Sequence, residues 1–291
     1  MQSNPQVPWT EEQWVRVNLA IQEEAQRARV AAKLLPLYGP LPPDSDFVRK
    51  VEIAPIPTGG PLTVNDRTII ELATLQVKLH LRGAQLADPE LGSVLSAFRR
   101  AANIIARVED ALVFNGQPGP DQLPPDTAAL GATLSGGQAS RGLVGLGVNA
   151  DPAVTDGDKL VAAVTDALSK LESKGHFGPF AVALGQDFFG YAQLPNPDQK
   201  QVTPQDQITP LLGGGSLLRC SAIPHNRGVV VALGGEPIEL VIATDVTAQF
   251  LQLTDKPIYV FRVYEKLVLR VKSTDAVVTL VDGGGTRRGG R

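Results

Sequence analysis

Between residues 10 and 35 the apolar side chains recur at spacings of three and four: Trp14, Val17, Ile21, Ala25, Ala28, Ala32 and Leu35. Arg16, Glu23, Arg27 and Lys33 lie opposite, which predicts one amphipathic helix with a stripe that something must cover. Thr10 ahead of Glu11, Glu12 and Gln13 supplies the start, with a hydroxyl for the free N–H groups and carboxylates on the positive end of the dipole. Tyr38-Gly-Pro-Leu-Pro-Pro43 supplies the stop. The period then changes. Gln76-Val-Lys-Leu-His-Leu81 alternates polar and apolar strictly, as a strand with one wet face requires, and puts His80 on the polar side as a surface residue. Phe47-Val-Arg-Lys-Val-Glu-Ile53, Thr68-Ile-Ile-Glu-Leu72 and Leu75 to Leu81 read as extended runs, with a turn at Pro57-Thr-Gly-Gly-Pro61, so 47–82 is expected to form a long β-hairpin arm.

A second helical pattern runs from about Pro89 to Phe114, with Leu91, Val94, Leu95, Phe98, Ala102, Ile105, Val108, Ala111 and Leu112 on its buried side. It is the expected spine of the fold. Residues 117–141, rich in Pro, Gly, Ala and Ser, read as a flexible insertion. A helix over about Asp156 to Ser173 precedes strands near Phe180–Leu184, Ser216–Ser221, Val229–Leu233, Ile238–Ile242 and Ile258–Val271. Helices and strands interleaved without a βαβ rhythm predict an α+β fold. The tail Asp282-Gly-Gly-Gly-Thr-Arg-Arg-Gly-Gly-Arg291 has nothing to bury and is expected to be disordered.

Charge and apolar content narrow the function. Twenty-seven basic residues against thirty acidic leave a net charge of −3 with no basic stripe, which argues against nucleic acid as a principal ligand. The longest apolar runs, such as Gly228-Val-Val-Val-Ala-Leu233, fall far short of the ~20 residues that cross a bilayer, so no membrane partner is expected. Met1-Gln-Ser-Asn-Pro-Gln6 lacks the basic and apolar regions of a signal peptide, and a cytoplasmic location is expected. The single cysteine, Cys220, reads as a small buried residue of a strand.

Catalytic constellations are missing from the sequence: no Gly-x-Ser-x-Gly elbow, His-Glu-x-x-His, Cys-x-x-Cys or phosphate loop occurs. Gly213-Gly-Gly215 lacks the Lys of a phosphate cradle and reads as a turn. Cys220 and His225 straddle Pro224 without a third partner, and His80, His176 and His225 are too dispersed to suggest a metal cluster. Glu109 and Asp110 are adjacent on a helix, point about 100° apart, and do not make an acid/base pair. No catalytic, cofactor-binding or metal-binding residues are expected.

Several short motifs carry a resemblance. Glu11-Glu-Gln-Trp14, Leu37-Tyr-Gly-Pro40, the helix Ala102 to Gly116 with its Glu109-Asp110 pair, Arg141-Gly-Leu-Val-Gly-Leu146 and Val241-Ile-Ala-Thr-Asp245 occur in the order found in the encapsulins. The chain resembles these bacterial and archaeal shell proteins, often labelled linocin-type bacteriocins, from about Trp9 to Leu280. The resemblance implies the tailed-phage major capsid fold, of Hong Kong 97 type. It places an N-terminal interior helix and linker at 1–46, the arm at 47–82 and a peripheral domain with the spine helix at 83–179. An axial domain at 180–223, further peripheral strands at 224–281 and a tail at 282–291 complete the division. Pro195, Asn196, Pro197, Asp198, Gln199 and Lys200 would form a pore loop at the fivefold axis. Val30, Leu34 and Leu37, with Val246 and Ala248, would line an apolar groove for the targeting peptide of a cargo enzyme, a peroxidase or a ferritin-like iron oxidase. The same side chains could instead pin the helix to its own subunit. Some encapsulins stack a flavin on a Trp of the arm; the comparable strand here ends Leu79-His-Leu81, and no flavin is expected. A self-assembling, non-catalytic icosahedral shell protein is the resulting expectation. The alternatives are a phage major capsid protein, or a secreted protease or hydrolase of the bacteriocin-labelled type.

Overall fold

The computed structural model describes residues 7–42, 44–53, 63–195 and 202–283. Helix α1 (Glu11–Ala28) begins on a capping box in which the Thr10 hydroxyl accepts from the Gln13 N–H while the Gln13 side chain accepts from the Thr10 N–H. Arg29 ends it, and one turn of helix α2 (Ala31–Leu34) follows. Strand β1 (Leu37–Tyr38) leads to β2 (Phe47–Ile53), β3 (Val64–Glu71) and β4 (Ala73–Arg82). A short helix α3 (Gly83–Leu86) precedes the spine α4 (Gly92–Asn115), and β5 (Thr133–Gly136), α5 (Gly142–Leu146), β6 (Val148–Asn149) and α6 (Gly157–Ser173) come next. The rest is β7 (Phe180–Leu184), α7 (Gln186–Gln193), α8 (Pro204–Ile208), β8 (Leu217–Arg219), β9 (Arg227–Ala232), β10 (Ile238–Leu253), β11 (Ile258–Val271) and β12 (Val277–Val281).

Two five-stranded sheets organise these elements. The first has the order β1-β10-β11-β4-β5 and the second β6-β12-β9-β7-β8, while β2 and β3 pair only with each other. Every residue of β7 is buried, as a central strand covered on both faces must be. On β4 the alternation read from sequence holds, with Leu75, Val77 and Leu81 buried and Lys78 and His80 exposed. All the spine positions expected inside, from Leu91 to Leu112, are buried. Above the first sheet, Trp9 stacks on Phe261 at 5.1 Å and Phe98 meets Phe261 edge-on at 5.6 Å. The indole N–H of Trp9 donates to the Leu86 carbonyl at 3.3 Å, which satisfies its polar handle.

Several expectations are corrected. The helix expected over 10–35 breaks at Arg29. Its apolar stripe is not left open: Val17, Ile21 and Ala25 are buried in the chain's own core, where α1 packs on α4 and β10. The arm is shorter than 47–82, because β4 pairs with β11 and β5 in the body and only β2–β3 stand apart. Residues 117–141 are not a loose insertion. Gln117 is buried, its amide donates to the Gly119 and Gly136 carbonyls, and β5 adds a strand to the first sheet. The second sheet draws β6, β9 and β12 from outside 180–223, so the unit around that segment is wider than the span expected. Asp282 at the head of the tail still bridges Val154. The turn 57–61, the remainder of the tail from 284 on, and 196–200 of the loop lie outside the described residues.

The spine helix ends against the motif 141–146. Gly116 and Gly142 both take left-handed backbone, at φ +85° and +62°; a methyl group on the first would lie 2.2 Å from the Ser140 carbonyl oxygen and one on the second 2.3 Å from the Gly116 nitrogen. Neither position tolerates a side chain. Gly142→Ala should therefore lose at least the ~1–2 kcal/mol of the left-handed penalty, and more from the clash. Gly190→Ala, inside α7 where an added methyl meets nothing, should be neutral or stabilising by up to ~1 kcal/mol. Thermal melting of the two variants checks this, and equal melting temperatures would contradict it.

Candidate functional site

The break between α1 and α2 is made by charge. Arg29 follows Ala28 and keeps its N–H on the Ala25 carbonyl at 2.9 Å, but takes extended backbone and turns its side chain inward until 7% of it is exposed. Three carboxyl groups receive it. Asp245 accepts from Arg29 Nη2 at 2.8 Å, Glu109 lies 3.7 Å from Nε, and Glu265 lies 3.8 Å from Nη1. Asp110, the neighbour of Glu109 on the spine, works on the backbone instead. Its Oδ1 accepts from the N–H of Ala31 at 2.7 Å and of Val30 at 2.9 Å, and Oδ2 accepts from Val30 at 3.1 Å. A spine carboxylate thus caps α2 at its positive end, where no side chain of its own does. The divergence of Glu109 and Asp110 gives them two tasks, one on Arg29 and one on the amides after it.

Two features place the remaining acids. Asp245 sits in a register shift of the β10–β11 ladder between Thr244 and Thr247, so a bulge re-aims a residue of a long strand toward Arg29. Glu265, on β11 where it pairs with β4, is fully buried. Burial pushes the Asp110 carboxyl up to about 6, against the opposing pull of the Ala31 and Val30 amides, Arg29 and Lys33. Glu109 and Glu265 are also held well above the usual carboxylate range, by burial first; Glu265 adds its charge against Glu109, while Arg29 pulls both back. From the sequence, Glu109 and Asp110 are expected only to diverge on the spine helix, with no partner assigned to either. The signal that they are interior was there: from Ala101 to Phe114 only Asn103 and Arg107 interrupt the apolar residues apart from the acids themselves, and an acid in such a segment has to be paired.

A second buried arginine roots the hairpin. Arg270 on β11 pairs with Glu239 of β10, donates to the Arg49 carbonyl of β2 at 3.2 Å and stacks over the Tyr38 ring at 4.3 Å. Val48, Ile70 and Leu72 pack with Val241 and Ala243 at the same root. Beyond it the ribbon is uncovered. Ile70 is the one buried residue of β3, and Phe47, Val64 and Ile69 are about 60% exposed.

The residues expected in a peptide groove divide. Leu34 and Val246 are in the core, 3% and 1% exposed, Val30 and Ala248 are half-buried against it, and Leu37 is 55% exposed. Asn18 of α1 joins this region by accepting from Thr247 Oγ1 and the Ala248 N–H, both at 3.3 Å. Sequence reading missed Val15 and Leu19, a turn apart and both exposed on α1. Of the loop residues expected at a pore, Pro195 is described and exposed, while Asn196, Pro197, Asp198, Gln199 and Lys200 lie outside the described residues. Cys220 is buried, and its thiol is pushed up to about 12, chiefly by burial. Among the described residues no group of three or more His, Cys, Asp and Glu is placed to hold a metal ion, and no helix is long and apolar enough to cross a membrane.

The family model for the encapsulating protein for peroxidase matches residues 1–122 and 134–268, with its gap inside the segment that leads to β5. The type 1 encapsulin shell protein EncA of Myxococcus xanthus is 29% identical over 294 residues, covering 97% of this chain and 96% of that protein. Among solved structures, the virus-like particle of Pyrococcus furiosus matches with a TM-score of 0.66 at 18% identity, covering 92% of this chain and 99% of that one. The capsid of the Myoviridae phage XM1 matches at 0.59 and 16% identity, covering 85% and 89%. The fold is therefore the α+β fold of tailed-phage capsids, as the motifs implied.

The arrangement at Arg29 makes a specific demand on Asp110. Asp110→Ala leaves the Val30 and Ala31 N–H groups without their acceptor and should cost about 1–3 kcal/mol for each donor left buried, whereas Asp110→Asn, which keeps one acceptor, should cost less. Urea unfolding of both variants measures the difference. A neutral Asp110→Ala would mean that Asp110 does not cap α2.

Proposed function

Because the chain belongs to the family of encapsulating proteins for peroxidase, the encapsulins, we propose that it is the self-assembling subunit of an icosahedral nanocompartment that encloses a cargo enzyme in the cytoplasm. The observation that carries this reading is the hairpin β2–β3. A two-stranded ribbon is marginal in water on its own, and this one is anchored at Arg270, Val48 and Ile70 and uncovered beyond them. Phe47, Val64 and Ile69 supply the apolar contacts that a neighbouring subunit would cover, and many copies related by symmetry would close a shell. The role is structural: the subunit contributes walls, and the chemistry belongs to the cargo, a peroxidase or a ferritin-like iron oxidase.

Cargo capture is assigned to the surface where α1 meets β10. Leu34 and Val246 form its floor, with Val30, Leu37 and Ala248 at its margin and Val15 and Leu19 as further apolar positions on α1. Covering two or three such side chains is worth about 1.5–3 kcal/mol each before entropy is deducted. That gives weak binding per site, multiplied when an oligomeric cargo presents several peptides to one wall. Pro195 to Lys200 are assigned to the pore at the fivefold axis.

Two measurements test the reading. The purified protein should elute as a megadalton particle and show uniform hollow shells in negative stain, and Phe47→Asp with Ile69→Asp should give a folded subunit that no longer assembles. A monodisperse monomer from the unaltered chain, or normal shells from the double variant, would contradict it. For the groove, Leu37→Asp should deplete co-purifying cargo at unchanged particle size, while Leu34→Ala, a core truncation, should cost the subunit about 2–5 kcal/mol. Full cargo loading in Leu37→Asp shells would place the groove elsewhere.

A further inference from the structure

Around Arg29 the count of acids exceeds what one guanidinium can answer. The short bond of Arg29 goes to Asp245, which is half exposed and also accepts from its own Val246 N–H at 2.8 Å. Asp110 is answered by two amides. Glu109 and Glu265 are left: both are fully buried, no hydrogen-bond donor among the described residues reaches any of their four oxygens, and Arg29 stands 3.7 and 3.8 Å away. Around them, Asp110 shares the spine with Glu109, Asp245 faces from β10, Lys33 from α2, and Cys220 from the loop after β8 adds a neutral thiol beside Asp110. With both ionised, two carboxylates would sit unsolvated beside a cation already engaged elsewhere, which a buried site does not sustain. A proton on one of them supplies the missing donor, because its O–H can then bond the other.

We propose that Glu109 and Glu265 share one proton beneath Arg29, and that loss of this proton as the pH rises unlocks the junction between α1 and α2. The pair is a latch between the N-terminal helix and the body. Protonated, it leaves a single negative charge for the guanidinium and the knot closes. Deprotonated, it needs water, and water enters where Arg29 crosses from α1 to α2, which breaks the bonds of Val30 and Ala31 to Asp110. The sign follows from burial. Both carboxyls titrate above their values in the unfolded chain, Glu265 at about 7, so the folded junction binds a proton that the unfolded one has released. Its stabilisation is complete below the ordinary glutamate range near pH 4.5 and is lost as the pH rises above neutral, through the raised range of the pair.

Hydrogen exchange on the purified full-length protein tests the latch. In the segment 29–35, after correction for the intrinsic pH dependence of exchange, the opening equilibrium should rise about tenfold per pH unit on the alkaline side of the transition, the slope of one released proton. Segments of β7 should show no such slope. Glu265→Gln keeps a donor for Glu109 and cannot ionise, so it should flatten the slope while the segment stays protected. In parallel, the infrared carbonyl band of a protonated carboxyl should be present at neutral pH, vanish as the pH rises, and be missing from Glu265→Gln. If that variant fails to fold, Glu109→Gln replaces it, and the band in the unaltered protein stands as an independent readout. No titrating carboxyl band, or the same exchange slope in the Gln variant, would overturn the proposal.

Discussion

One guanidinium decides how the N-terminus of this chain meets the rest of it. Arg29 is drawn inward by Glu109, Asp245 and Glu265, from the spine and from both long strands of the first sheet. Reaching them requires the chain to leave helical geometry, and the amides that this frees are taken up by Asp110. Burying such a group is costly unless every charge is answered, and removing one partner of a buried pair typically costs about 3–5 kcal/mol. The cluster therefore specifies the junction more than it stabilises it. It admits one crossing angle for α1 over α4 and β10, and a helix docked otherwise would leave buried charge unpaired.

The dispersed motifs of the sequence meet around this point and the adjoining one. Leu37 and Tyr38 pair in parallel with Leu240 and Val241, and the Leu41 N–H closes the strand on the Ile242 carbonyl. Asp245, at the end of the same run, binds Arg29, and Glu109-Asp110 approaches from the opposite side. Tyr38 then lies under Arg270, which reaches the backbone of the hairpin at Arg49. A mechanical line runs from the N-terminal helix through β1 and β10 to the root of the ribbon. Two surfaces that the proposed function needs, an inward face for cargo and an outward ribbon for neighbours, are thus fixed to one sheet by two buried arginines.

What could be read from sequence follows from how local each feature is. The three-and-four spacing of Val94, Leu95, Phe98, Ala102 and Ile105 and the strict alternation of Gln76 to Leu81 are local, and both became the elements they predict. The break at Arg29 is not local: Gln26-Arg-Ala-Arg-Val-Ala31 contains no Gly, Pro or cap, and the acids that impose it lie about 80 to 236 residues further on. The length of β10 was hidden for a related reason. Its bulges shift the register between Ile242 and Thr247, so Ala243-Thr-Asp-Val-Thr247 does not alternate like a strand. At the expected groove the residues were apolar as required, yet apolarity alone could not separate Leu34, which is buried in its own subunit, from Leu37, which faces outward.

The energetic coupling of Arg29 to the acids that bend the chain is measured directly by a double-mutant cycle. Unfolding free energies are determined for Arg29→Met, Glu265→Gln and the two together. The structure predicts that the pair departs from additivity by at least about 1 kcal/mol, with the double variant less damaged than the sum of its parts, since Arg29→Met strands two buried glutamates in the unaltered background and only one beside Glu265→Gln. Additivity within about 0.5 kcal/mol would mean that Arg29 and Glu265 act independently, and would contradict the claim that one knot of charge sets the geometry of the N-terminal helix.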